Sequence, residues 1–294
     1  MKHKHALLAT LMSVIFGMGW VLAKSALDYF PPILLAAFRF GVAAIILIWF
    51  VKPPHGHLRA IMLISVLAIT VPYAMIYVGL KDLDASTTIL LVQLEAPVLI
   101  MLGAVMLGEM PGYKKAIGTM IAFSGIVLIA GDPQVRTNII AVAWVLGSIL
   151  TWAVGQIKIR KLGETGGLRN LAWISAFASP QLLLISAFFE KNQINLIFNA
   201  APTIWVTVIY LGIAMTVGGI GIWYHLIGKY PVAFVSPFLL LVPVTTILGG
   251  VLWLDEELTR MSLIGGAVVI AGVALVIVER PTARNRYNAD ITDK

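Results

Sequence analysis

The 294-residue sequence contains no cysteine. That excludes disulfide staples, thiol nucleophiles and thiolate metal sites. Charge is also scarce: 12% of residues are Asp, Glu, Lys or Arg, against about 25% in an ordinary soluble domain. So little charge excludes a soluble enzyme, a nucleic-acid binder, a disordered chain and a large soluble domain appended to an apolar one. No G-x-x-x-x-G-K-[ST] phosphate loop occurs, so this chain does not itself harness ATP. No His/Asp/Glu cluster falls at membrane depth, which counts against an intramembrane protease or lipid hydrolase. His55-Gly56-His57 is a histidine pair without a third ligand, in a short loop after Pro53-Pro54. It reads as a solvated loop. No metal, no cofactor and no enzymatic activity are expected.

What is present is apolar. Hydrophobic residues make up 60% of the chain and mean hydropathy is +0.94. A spanning helix takes about 20 apolar residues. Ten such runs are read, at about 6–27, 33–51, 58–80, 85–108, 113–131, 137–157, 168–189, 201–225, 231–253 and 259–278. Segments such as Ala43-Ala44-Ile45-Ile46-Leu47-Ile48 do not alternate as a barrel strand does. The basic start Met1-Lys2-His3-Lys4-His5 resembles a signal peptide, but the apolar run is too long and Ala23-Lys24-Ser25 is a poor cleavage site, so it is read as a retained helix. The fold expected is an all-α polytopic membrane protein of ten helices.

Charge sets its orientation. With the N-terminus in the cytoplasm, fifteen of the 21 basic residues fall on cytoplasmic segments, five on the other side, and Arg39 inside a span. The positive-inside rule therefore places both termini in the cytoplasm. The net charge of +7 describes orientation in the lipid bilayer, not affinity for nucleic acid.

The chain also repeats itself. Leu107-Gly108-Glu109 with Gly118 and Gly125 recurs as Leu254-Asp255-Glu256 with Gly265 and Gly272, displaced by 147 residues, half the chain. Pro97 and Pro243 match within one residue of that displacement. The expected organisation is two five-span repeats, 1–135 and 136–279, with a short cytoplasmic tail, 280–294. An odd number of spans inverts the second repeat, and inverted repeats mark alternating-access carriers whose site lies near the midplane. Glu109 and Glu256 are read as structural, offsetting the exposed amides that open the helix after each. The glycines are read as close-packing positions.

Phe16-Gly17-Met18-Gly19-Trp20, Pro31 to Phe40, Leu107-Gly108-Glu109, Leu240 to Val244 and Leu254 to Thr259 resemble the EamA family of the drug/metabolite transporter superfamily. The likeness covers nearly the whole chain. The Pro-Pro start, Arg-Phe and Leu-Val-Pro-Val are similar to its exporters of cysteine and O-acetylserine, as is Trp152-Ala153-Val154-Gly155-Gln156 apart from Gln156 in place of an expected Asn. The resemblance implies a multi-pass inner-membrane secondary transporter exporting amino acids or their relatives. It transfers no site residues.

Candidate site residues come instead from the cost of charge in lipid, at least about 2.5–3.5 kcal/mol per group at mid-span. Only Arg39 and Glu95 lie well inside spans. They are within reach of pairing. Three readings stay open: a site bracketing a zwitterion, with Arg39 on its carboxylate and Glu95 near its amine; Glu95 as a proton carrier; or a structural salt bridge. Thr88, two turns before Glu95, is expected on its face, with Gln93 nearby. Trp20, Tyr73, Tyr77, Trp152, Trp223 and Tyr224 are cavity-lining candidates or interface anchors. Gln156 and His225 are expected in solvated positions near cytoplasmic ends. Pro97 and Pro243 are candidate hinges. The expected partners are a small-molecule substrate, with protons as a second candidate, and the bilayer, the chain acting as a monomer or weak homodimer. A facilitative channel-like pore and a multidrug or quaternary-cation exporter are the competing functions.

Overall fold

A computed structural model describes residues 1–53, 56–108, 111–162 and 166–277. Among these residues ten helices are long and apolar enough to cross a membrane: α1 (His3–Ala26), α2 (Pro32–Phe50), α3 (Leu58–Asp82), α4 (Ala85–Leu107), α5 (Tyr113–Gly131), α6 (Ile139–Lys161), α7 (Gly167–Phe189), α8 (Pro202–Ile227), α9 (Ser236–Trp253) and α10 (Arg260–Ile277). Every apolar run became one helix. The largest boundary difference is at α9, where residues 232–235 form a separate helical turn. Pro237 lacks the N–H that would continue that turn. A short helix, Gln193–Asn199, in the α7–α8 connection was not foreseen. Glu109, His55 and the 280–294 tail lie outside the described residues.

Local chemistry explains the ends. Pro32 and Pro202 occupy the first turn of α2 and α8, where a missing N–H costs nothing. Gly108 ends α4 in the left-handed region, at φ 70°.

The helices pair as α2 with α7, α5 with α10, α3 with α6 and α1 with both α8 and α9. The α5–α10 seam is a backbone contact. A Cβ at Gly118 would lie 2.7 Å from Gly272 O, and one at Gly125 the same distance from Gly265 O. Only glycine permits that approach.

Four of the ten spans carry irregular backbone, three of them at mid-depth and α9 at its start. In α3, Val66–Thr70 forms a π-helical turn, and Pro72 withholds the N–H that Ala68 O would accept. In α8 the π-helical stretch is longer, Tyr210–Gly219, and includes three glycines. In α4 the helix stops at Val92 and resumes at Glu95, with Leu94 N donating to Leu91 O at 3.0 Å, three residues back. In α9, Ser236–Leu240 is a tight 3₁₀ turn before the α-helix starts at Leu241.

This refines the reading of Pro97 and Pro243. Each proline sits in the first turn of the resumed helix, so each interruption lies about one turn before its proline. Thr88, expected on the face of Glu95, is fully buried, and its Oγ1 has no hydrogen-bond partner among the described residues.

One end of the bundle, carrying the α1–α2, α3–α4, α7–α8 and α9–α10 connections (the far end), is tied across the chain by charged groups. Glu256 accepts from Ala85 N at 2.6 Å, Ser86 N at 3.1 Å and Ser86 Oγ at 2.5 Å. It therefore caps α4, not the helix that follows it as the sequence suggested. Span α10 instead opens on Thr259, whose Oγ1 accepts from Ser262 N at 3.0 Å. Glu190 caps α2 through Ile33 N at 2.7 Å and Leu34 N at 3.0 Å. Lys24 Nζ donates to Leu80 O at 3.1 Å and Lys81 O at 2.8 Å. Carboxylates on exposed helix amides and an ammonium on final carbonyls oppose the helix dipole at each terminus.

Candidate functional site

The four irregular stretches converge on one cavity of about 360 Å³. Its walls come from α1 to α4 and α6 to α9; α5 and α10 contribute no lining residue. Non-helical backbone at membrane depth is tolerated where it lines a protein cavity, since the freed amides and carbonyls need partners that lipid lacks. The lining runs from Trp20 and Ile89, towards the far end, past Arg39, Glu95 and Gln93 at mid-depth, to Asn170 and Tyr224 beside the α6–α7 and α8–α9 connections. We call that side the near end.

Of the residues singled out in the sequence, Arg39, Glu95, Gln93, Trp20, Tyr73 and Trp152 all line this cavity. Tyr77 stands behind the wall, fully buried, and accepts from Arg39 Nη1 at 3.1 Å. Pro97 and Pro243 are buried without lining the cavity. Gln156, expected in a solvated position, is half-buried and lines the cavity. Tyr224 lines it too, whereas Trp223 packs with the small cluster around Ala9 and Leu226. His225 is exposed, with its ring edge-on to His5 at 6.1 Å.

The pairing of Arg39 with Glu95 is not formed. Arg39, 3% exposed, donates from Nε to Thr216 Oγ1 at 2.9 Å as well as to Tyr77. Phe40 and Tyr73 present their rings at 5.2 and 5.0 Å from its central carbon, within cation–π range. Among the described residues no carboxylate pairs with it. Glu95 is half-buried at the start of the resumed α4 helix. The cavity thus holds one cation with neutral partners and one acid without a hydrogen-bond partner among the described residues.

Two contributors were missed in the sequence. Thr216 is buried and holds Arg39 from α8; threonine costs little in lipid, so nothing in its surroundings marks it. Asn170, one turn into α7, lines the cavity at its near end. A polar residue beside a loop carries no depth signal.

Comparison with known proteins follows this geometry. The profile of the EamA-like transporter family matches residues 3–131 and again 139–278. A probable amino-acid metabolite efflux pump of Escherichia coli strain K12 is 28% identical over 284 residues, covering 93% of this chain and 94% of that protein. The uncharacterized transporter YvbV of Bacillus subtilis strain 168 is also 28% identical, over 94% of this chain and 92% of its own. A crystal structure of a protein 18% identical superposes with a TM-score of 0.62, covering 91% of this chain and 94% of that one. That last likeness is one of fold.

Proposed function

The chain belongs to the EamA-like transporter family and is a multi-pass inner-membrane protein, and from that premise we propose that it exports amino acids or close derivatives by alternating access. The observation that carries the reading is the cavity. It brings a guanidinium and a carboxylate, unpaired with each other, to mid-depth, where each costs several kcal/mol unless it does work. A zwitterion supplies the missing partner to both: its carboxylate meets Arg39 and its ammonium Glu95. The efflux pumps that resemble this chain are named for amino-acid metabolites, which fits.

Support for alternating access comes from the repeat. The family profile matches twice, and the irregular stretches fall in α3 and α4 and in their counterparts α8 and α9. In the orientation given by the basic residues, the near end faces the cytoplasm. The end of the cavity lined by Asn170, Gln156 and Tyr224 then faces the compartment from which an exporter loads. An organic cation would suit the aromatic walls and Glu95, but Arg39 in the same space repels it.

The test is metabolite profiling of medium from overexpressing and deletion strains, followed by counterflow in vesicles with whatever accumulates. An amino acid or derivative that rises, falls and exchanges saturably supports the proposal. Non-saturating flux points to a pore. Wild-type rate and affinity across pH in both Glu95→Gln and Arg39→Lys would sink the zwitterion site.

A further inference from the structure

Arg39 is held in place before any ligand arrives. Its partners come from two helices that are counterparts under the 147-residue displacement: Tyr77 from α3 and Thr216 from the π-helical stretch of α8. Thr216 has one hydroxyl proton, and it is committed. Oγ1 donates to Leu211 O at 2.7 Å, five residues back, closing part of the π turn. The oxygen is thereby left as an acceptor, and Arg39 Nε fills it at 2.9 Å. Two points of attachment and two flanking rings fix both the position and the plane of the guanidinium.

A guanidinium has five N–H groups; Thr216 takes the one on Nε and Tyr77 one on Nη1, and the Tyr73 hydroxyl also lies within hydrogen-bonding range. The uncommitted donors lie along the Nη1–Nη2 edge, the fork that fits a carboxylate with two parallel hydrogen bonds. Hydroxyls and rings orient this cation without neutralising it. A buried carboxylate in their place would have neutralised it and closed the site. We infer that Thr216 and Tyr77 are positioning residues that present the Nη edge of Arg39 to a substrate carboxylate, so that the cavity takes free α-amino acids and rejects their esters and amides. An ester lacks the second anionic oxygen and gains nothing from a charged fork. The inference rests on the zwitterion reading and adds to it the residues that set carboxylate selectivity.

The test uses the purified full chain in lipid nanodiscs. Thermal stabilisation is titrated with each of the twenty common L-amino acids and with its methyl ester, since a ligand that binds the folded state raises the melting temperature, more so the tighter it binds, with a logarithmic dependence on the ratio of ligand concentration to Kd. In the wild type at least one acid stabilises and its ester does so far less. Thr216→Val removes the acceptor at nearly constant volume. It is expected to weaken the acid by about tenfold, the worth of one charge-assisted hydrogen bond, and to leave the ester unchanged. Thr216→Ser restores the acid, and Tyr77→Phe lowers it in the same direction. A merely structural role would weaken acid and ester together. Acid-to-ester ratios that stay at the wild-type value in both Thr216→Val and Tyr77→Phe, while Arg39→Lys abolishes selectivity, overturn the positioning role and leave the zwitterion site standing. Arg39→Lys and Glu95→Gln with wild-type affinities overturn both, as does an absence of stabilisation by every acid.

Discussion

The two ends of the bundle are built differently. At the far end, Glu256, Glu190 and Lys24 each reach across the chain to the terminus of another helix, at separations of up to 171, 157 and 57 residues. At the near end, among the described residues, Tyr230 Oη accepts from Lys2 N at 3.2 Å and shares a hydrogen bond of 2.7 Å with His5 Nδ1, Lys115, Arg160, Arg169 and Asn170 also have partners, and the cavity reaches Asn170 and Tyr224. The difference teaches that helix termini serve as fastening points. A helix start offers several amides that need acceptors in a medium with little water, and a carboxylate borrowed from another helix both satisfies them and draws the two helices together.

The strongest way to break this asymmetry is Glu256→Ala. It removes a buried carboxylate from two amides and a hydroxyl, and bonds to charged groups are worth about 1.5–3 kcal/mol each. We expect a loss of about 3 kcal/mol in thermal unfolding of the detergent-solubilised protein, with Glu256→Gln recovering part of it. A melting temperature equal to the wild type in Glu256→Ala would show that the cap contributes nothing.

Glu190→Gln should cost less, about 1–2 kcal/mol, because the amide can still accept from Ile33 or Leu34 but no longer with a full charge. The same melting experiment reads it, and a larger loss than in Glu256→Ala would reverse the ranking of the two ties.

The lack of native cysteine makes the comparison directly measurable. Single cysteines at Asn170 and Ile89, on opposite ends of the cavity wall, should react with a water-soluble maleimide at rates differing by about tenfold, equivalent to roughly 1.4 kcal/mol, with Asn170 the faster. Equal rates would contradict access to the cavity from the near end. Adding Glu256→Ala to the Ile89 variant should narrow the gap.

The smallest effect concerns acid. Asp132 is buried, and burial opposes its charge. Hydrogen bonds from Thr259 Oγ1, Gln134 N and Ser262 Oγ outweigh that and hold its carboxyl below the ordinary aspartate value. A depressed value in the folded state means the stabilisation is complete above about pH 4, where the unfolded side chain titrates, and is lost as pH falls below that. Asp132→Asn should flatten this part of the stability profile. An unchanged acid limb in the variant assigns the loss to other groups.

Much of the architecture was legible because its signals are expensive in lipid. Apolar runs marked the ten helices, and the scarcity of charge at mid-span left Arg39 and Glu95 in view, both of which line the cavity. Residues whose roles depend on cheap groups or distant partners stayed hidden. Thr216 is an ordinary threonine until the α8 backbone places it on Arg39. Glu256 was recognised as a cap but matched to its sequence neighbour, because helix starts 170 residues away cannot be seen from local order.

Helix length carries a consequence of its own. Span α9 is 18 residues long and α8 is 26, which at 1.5 Å per residue gives about 27 and 39 Å. A hydrocarbon layer about 30 Å thick is met by α9 almost end to end, whereas α8 crosses it only by leaning or by leaving turns among the headgroups. Bilayer thickness therefore loads the molecule unevenly. Longer acyl chains pull on the short helix that ends just before Glu256, and shorter ones tip the long helix that carries Thr216, so the lipid surroundings act as a mechanical input to both the fastened end and the arginine in the cavity.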